Sequence, residues 1–144
     1  DTARATNDLV TAEEWYARLL QQRPDDAYAW AARGEVAMQR GLAKQATIYL
    51  EEATSLQPTD VGHWLSLAAA AAAAGDSHEA AMAYDKALAL QPGDVGLLLG
   101  AATFFAQSGE VARAHALYLQ VLALEPDNPT ATAALAVPVA NPTP

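Results

Sequence analysis

A period of 34 residues runs through almost the whole of this 144-residue chain and leaves few folds open to it. Prolines stand at Pro24, Pro58, Pro92 and Pro126, glycines at Gly41, Gly75 and Gly109, and alanines at Ala12, Ala46, Ala80 and Ala114. A large apolar residue follows each alanine at the same interval: Tyr16, Leu50, Tyr84, and in the last copy Leu117 or Tyr118. Several residue classes locked in one phase mark a repeat architecture, in which each unit buries its apolar face against the next.

Each class has a mechanical task. Proline has no N–H to donate and pushes the residue before it out of the helical region, so it predicts the end of a helix. The polar pairs that follow, Asp25-Asp26, Thr59-Asp60, Gly93-Asp94 and Asp127-Asn128, are placed to cap the next helix. The glycines predict left-handed residues where a helix stops and the chain turns back. The small alanines let two helices approach, and the larger residue beside each fills the gap that remains. The predicted unit is a helix, a tight turn, a second helix and a proline-marked loop.

With Ala27 as position 1, the first full repeat carries Trp30, Gly34, Ala46, Leu50, Ala53 and Pro58. The second carries Trp64, Leu67, Ala68, Ala80, Tyr84, Ala87 and Pro92, and the third Leu98, Ala101, Ala102, Phe105, Ala114, Tyr118, Val121 and Pro126. This pattern resembles the tetratricopeptide repeat family. Arg33 stands where the family has leucine, and Ala43 and Ser77 where it often has an aromatic; these departures are expected to weaken packing locally without threatening the fold. The resemblance implies an all-α fold, a right-handed α-solenoid of helical hairpins with about three full repeats and a half repeat at each end. The full repeats are expected at 27–60, 61–94 and 95–128, with a partial repeat at 1–26 and a terminal helix at 129–136. Together these make a domain over 1–136, followed by a proline-rich tail at 137–144.

Counting back one period puts Asn7-Asp8 in the glycine-turn position. Leu9 to Arg23 therefore reads as a second helix, with its first helix cut down to Asp1–Thr6. Pro129 to Ala136 reads as one more helix with proline in its first turn, stopped at Val137-Pro138. Solenoids normally end in polar capping repeats, and neither end offers one, so the native protein is expected to be longer. The absence of an initiator methionine at Asp1 points to a processed or excised piece.

Seventeen acidic residues against eight basic ones give a net charge of −9. That balance repels phosphate backbones and anionic membrane surfaces, so nucleic acid is not an expected partner. No segment approaches the roughly 20 apolar residues of a membrane span, since the most apolar stretch is Leu65 to Ala74. The lack of cysteine removes disulfides, thiolate metal sites and a cysteine nucleophile.

By resemblance, the first helix of each repeat lines a concave groove. The residues expected there are Tyr28, Ala31, Glu35, Met38 and Gln39, then Leu65, Ser66, Ala69, Ala72 and Ala73, then Leu99, Thr103, Ala106 and Gln107. Gly62, Gly96, Gly100 and Ala32 complete the lining. It is small, nearly uncharged and mildly apolar, which suits an amphipathic helix with apolar anchors. The Lys, Asn and Arg set with which some family members grip C-terminal carboxylates is absent: Ala31, Glu35, Ser66, Gly96 and Gly100 stand in those places. The plainer reading of Ala68 to Ala74 is helix-forming filler, since alanine has the highest helix propensity.

Nothing here points to catalysis, a cofactor or a metal. His63, His78 and His115 read as exposed histidines on three different helices. His78 and His115 fall near each other in the repeat frame, but a pair without a third ligand makes no zinc site. Adjacent acids such as Glu13-Glu14 and Glu51-Glu52 do not face one another on a helix. Gly93-Asp94-Val95-Gly96 lacks the strand and lysine of a phosphate loop. Trp30 and Trp64 occupy packing positions, and Trp15 is expected at an exposed edge.

The expected function is that of a scaffold or adaptor, binding an apolar or amphipathic segment of a partner protein in the groove. Its alanine-rich composition, with six arginines to two lysines, suggests a bacterial source, with cytoplasm and periplasm both open. The alternatives are a periplasmic assembly factor or chaperone, of the kind serving cytochrome maturation, pili or polysaccharide secretion, and a homo-oligomer joined through the solenoid ends.

Overall fold

The computed structural model describes residues 2–136, with side chains from residue 8 onward. Among the described residues there are eight α-helices and no strand. They fall into two compact units, Asp1–Leu90 and Gln91–Pro144. The tail expected at 137–144 lies outside the described residues.

The first unit holds α1 (Thr2–Gln22), α2 (Ala27–Gln39), α3 (Ala43–Leu56), α4 (Val61–Ala74) and α5 (Ser77–Leu90). Each packs on the next in sequence, and α2 also meets α4. The second unit holds α6 (Val95–Gln107), α7 (Val111–Leu124) and α8 (Pro129–Ala136), again packed in succession.

The local signals act as their chemistry requires. In each polar pair the second member is the cap: Asp26, Asp60 and Asp94 accept the backbone N–H of Ala29, His63 and Leu97 at 3.0, 3.2 and 2.8 Å. Asn128 does the same for Ala131 at 3.1 Å. Each bond satisfies one of the orphan donors at a helix start. Gly41, Gly75 and Gly109 are left-handed, with φ of 75°, 83° and 89°. The residue after each donates its N–H five residues back, Leu42 to Ala37, Asp76 to Ala71 and Glu110 to Phe105. That bond closes the helix end and sends the chain back along the hairpin.

One expectation fails. The turn at Asn7-Asp8 is not formed, and α1 runs through both positions as one helix of 21 residues. Asn tolerates the left-handed conformation, but it does not demand it as a cheap exit from a helix the way glycine does. Thr2-Ala3-Arg4-Ala5 brings no proline or glycine to stop the helix, so it continues.

The core of the first unit is rich in alanine. Ala37, Ala46, Ala53, Ala68, Ala70 and Ala83 are fully buried around Leu50 and Leu67, with Tyr49 closing the layer and Trp30, Trp64 and Tyr84 packed on its rim. Small side chains permit close helix approach. A Cβ on Gly34 would stand 2.7 Å from Leu50 Cγ, so at this point α2 lies against α3 with no room for a methyl group. In the second unit Leu98, Ala101, Ala102, Phe105 and Val121 fill the corresponding space. Complete burial of a leucine or phenylalanine contributes about 1.5–3 kcal/mol.

Arg33, the departure from leucine, is accommodated by stacking. Its guanidinium lies 4.1 Å from the Tyr49 ring centroid and 6.0 Å from that of Trp30, an attraction that offsets part of the cost of placing a cation beside the core. Arg40, at the end of α2, pairs with Glu13 of α1.

Candidate functional site

In the first unit, α2 and α4 each bury one face and leave another open. On α4, His63, Leu67, Ala68, Ala70 and Ala71 face the core, while Leu65, Ala69, Ala72 and Ala73 face outward. The alanine run is thus divided between the two readings it allows: Ala68, Ala70 and Ala71 are packing, and Ala69, Ala72 and Ala73 are surface. On α2, Tyr28, Glu35 and Gln39 face outward, and Ala29, Ala31, Val36 and Ala37 face inward.

Between these two helices lies a depression of about 350 Å³. From the expected groove it collects Tyr28, Ala31, Glu35 and Ser66, together with Ala32 and Gly62. Tyr28 is 64% exposed, while Ala31 is nearly buried and supplies floor rather than contact surface. Met38 and Gln39 lie outside the depression; Met38 packs against the core cluster and Gln39 is exposed. Leu65 is 36% exposed on the neighbouring surface of α4. In the second unit, α6 leaves Thr103, Ala106 and Gln107 exposed and Leu99 half-buried, and the Thr103 hydroxyl donates back to Leu99 O at 2.9 Å.

Two residues outside the expected groove also line the depression. Asp60 caps α4 through Oδ1, and its Oδ2 stands 3.5 Å from the Tyr28 hydroxyl. His63 meets the Tyr28 ring edge-on, with centroids 5.3 Å apart and planes at 68°. The edge-on contact with His63 orients an exposed aromatic side chain, and the long hydroxyl contact adds little. With Asp60 and Glu35 both on it, the lining of the depression is acidic rather than nearly uncharged.

His63 corrects a second expectation, for it is buried at 5% exposure, and its Nδ1 has no hydrogen-bond partner. The periodicity held the signal. His63 is the third residue of its repeat, and the residues one period away, Ala29 and Leu97, are buried at 4% and 5%. His78 is exposed on α5, and His115 is half-buried on α7. Trp15 is 59% exposed and packs edge-on against Tyr16, with centroids 5.1 Å apart.

Larger depressions lie elsewhere in the first unit. One of about 480 Å³ sits at the α4–α5 turn beside Lys44 and Thr47, with no aromatic or unpaired buried group to serve as an anchor. Another, of about 460 Å³, lies beside Trp64 and Met82, with Glu51 and Glu79 on its lining. Burial raises the Glu79 carboxyl above its ordinary value, and the carboxylates of Glu51 and Asp76 push it the same way. Among the described residues no group of three or more His, Asp or Glu is placed to hold a metal ion, and no helix is long and apolar enough to cross a membrane.

Two family models, both described as tetratricopeptide repeat, match residues 27–60 and 71–137. No curated protein matches the chain. Among solved structures, the chain is similar to a crystal structure of MamA at 21% identity and a TM-score of 0.78, covering 94% of this chain and 79% of that one. It is similar to MamA 41-end from Desulfovibrio magneticus RS-1 at 20% identity and a TM-score of 0.74, covering 85% and 70%. The Arabidopsis OM64 TPR domain aligns at 23% identity and a TM-score of 0.62, over 75% of this chain and 89% of that one. The chain belongs to the tetratricopeptide repeat family, an all-α solenoid fold that serves as a scaffold for protein–protein interaction.

Proposed function

We propose that the α2/α4 face of the first unit docks an amphipathic segment of a partner protein, with Tyr28 and Leu65 as its apolar contact points. The observation that carries this reading is the Tyr28 ring, 64% exposed yet packed edge-on against His63 at the edge of a depression. An aromatic side chain ordered before binding loses little entropy on contact, which is why such residues dominate interface energetics. The flanking Gly62, Ala69, Ala72 and Ala73 leave room for a helix to lie close.

Selection from a displayed library of amphipathic helical peptides tests the reading, with the native domain compared against Tyr28→Ala and Leu65→Glu. Both side chains are exposed, so helical content and melting should hold. Retained peptides should bind each variant about tenfold more weakly, the loss of about 1.4 kcal/mol expected for one interface anchor. Equal binding by folded variants would move the site elsewhere on the molecule.

A further inference from the structure

We propose that the depression beside Tyr28 is a receptor for a single aliphatic cation, the lysine or arginine side chain of the docked segment. The proposal deepens the docking reading and rests on it for the source of the cation, but not for the chemistry of the pocket. Three independent features converge.

The first is charge. Glu35 and Asp60 both line the depression, and no lysine or arginine does. Asp60 commits Oδ1 to the helix cap, while Oδ2 has only the long 3.5 Å contact from the Tyr28 hydroxyl. A contact at that distance is weak, and a charged donor would replace it with a shorter and stronger bond.

The second is the orphaned histidine nitrogen. His63 lines the depression, and its Nδ1 is buried without a partner. An unsatisfied buried polar atom costs about 1–3 kcal/mol, and a turn of the imidazole toward a bound ligand would present it with a partner. A neutral imidazole nitrogen can be donor or acceptor, and the nitrogen alone does not choose between an anion and a cation. The two carboxylates choose: they repel an anion and favour a donor.

The third is shape. The exposed Tyr28 ring offers the negative face of its π-system to a cation. Ala31, Ala32 and Gly62 leave depth for an aliphatic stem, the part of lysine or arginine that prefers apolar contact. Gly62 is restricted here, since a Cβ at this position would stand 3.1 Å from Asp60 Oδ1 and crowd the carboxylate. The net charge of −9 favours the approach of a basic segment from a distance.

The test uses n-butylammonium as the side-chain probe, with 1-butanol and butyrate as neutral and anionic controls at fixed ionic strength. Binding is read by NMR from the ring resonances of His63 and Tyr28. The ammonium ion should give saturable shifts at both rings, and the controls none. In Glu35→Gln/Asp60→Asn, where asparagine keeps the helix cap, affinity should fall roughly tenfold. Saturation by butanol or butyrate, or an ammonium response unchanged in the variant, overturns the proposal. Peptides retained in the display selection without enrichment of lysine or arginine would also overturn it, and would leave the docking reading standing. Saturable ammonium binding with no peptide retained would support the cation pocket and defeat the docking reading instead.

Discussion

Helices α2 and α4 carry tryptophan at the fourth position of their repeats, and α6 carries leucine. Trp30 and Trp64 are half-buried, and each indole N–H donates to a proline carbonyl six residues back, Pro24 at 2.9 Å and Pro58 at 2.8 Å. Each ring therefore fills the edge of the core and tethers the loop that leads into its own helix. Leu98 has no side-chain N–H to give and sinks fully into the core. The missing aromatic volume returns one heptad later on the same helix face. There the first two hairpins have Ala37 and Ala71, and the third has Phe105, all fully buried. Arginine follows the aromatic: Arg33 stacks on Tyr49 in the first hairpin, and Arg113 lies 3.8 Å from the Phe105 ring centroid in the third. The fold demands a total volume along that face of the helix and leaves open which position supplies it.

The strongest way to break this comparison is Phe105→Ala, which leaves the third hairpin with neither aromatic. A loss of about 3–5 kcal/mol is expected in chemical denaturation. Adding Leu98→Trp to that variant should recover part of the loss by rebuilding the tryptophan–alanine arrangement; a further loss would mean the two positions do not trade volume. Gly34→Ala comes next. Its equivalents Ala68 and Ala102 are tolerated, but here the new methyl meets Leu50, and about 1–3 kcal/mol should be lost. An unchanged midpoint would show that Leu50 swings aside.

Trp64→Phe keeps an aromatic ring but removes the pyrrole half of the indole and with it the tether to Pro58. It should cost about 0.5–1.5 kcal/mol, towards the lower end because water can reach the carbonyl. The same melt on Trp30→Phe should agree, since the geometry is the same. The smallest effect is electrostatic and belongs to the second hairpin. Burial and the carboxylates of Glu51 and Asp76 raise the Glu79 carboxyl in the folded protein. The folded state therefore binds more protons than the unfolded one in the window from about 4.5 upward, and stability falls as pH rises through it. Glu79→Gln should raise the melting temperature slightly at neutral pH and flatten that dependence; a drop would mean the carboxylate has a favourable partner.

The fold was legible because its signals are local and repeated. Proline, glycine and capping aspartate each act within one turn of the helix they bound, so reading three copies in phase suffices. The expected turn at Asn7-Asp8 failed at the one place where the period was extended without its glycine. The site was only partly legible. Tyr28, Glu35 and Ser66 follow from repeat position, yet the side chains that orient Tyr28 do not belong to the positions a groove is expected to use. Asp60 was visible as a cap but not as a wall of a pocket, because that role depends on where the second carboxylate oxygen meets the neighbouring hairpin. Residue type makes His63 read as exposed, whereas its phase in the repeat, shared with the apolar Ala29 and Leu97, puts it inside.

The capping side chains also govern how the chain can be edited. Asp26, Asp60, Asp94 and Asn128 are spaced 34 residues apart. Excising 61–94 would join Asp60 directly to Val95, three residues ahead of the Leu97 N–H that Asp94 now caps. Every proline break and left-handed glycine downstream would keep its place relative to the helices. A short deletion or insertion inside a helix would leave its cap, glycine and proline in place but turn the residues beyond it off the core face, by about 100° for each residue changed. Length is therefore quantised in this molecule: whole repeats can be gained or lost by recombination while the local grammar of each hairpin survives, and smaller changes fall on the short loops alone.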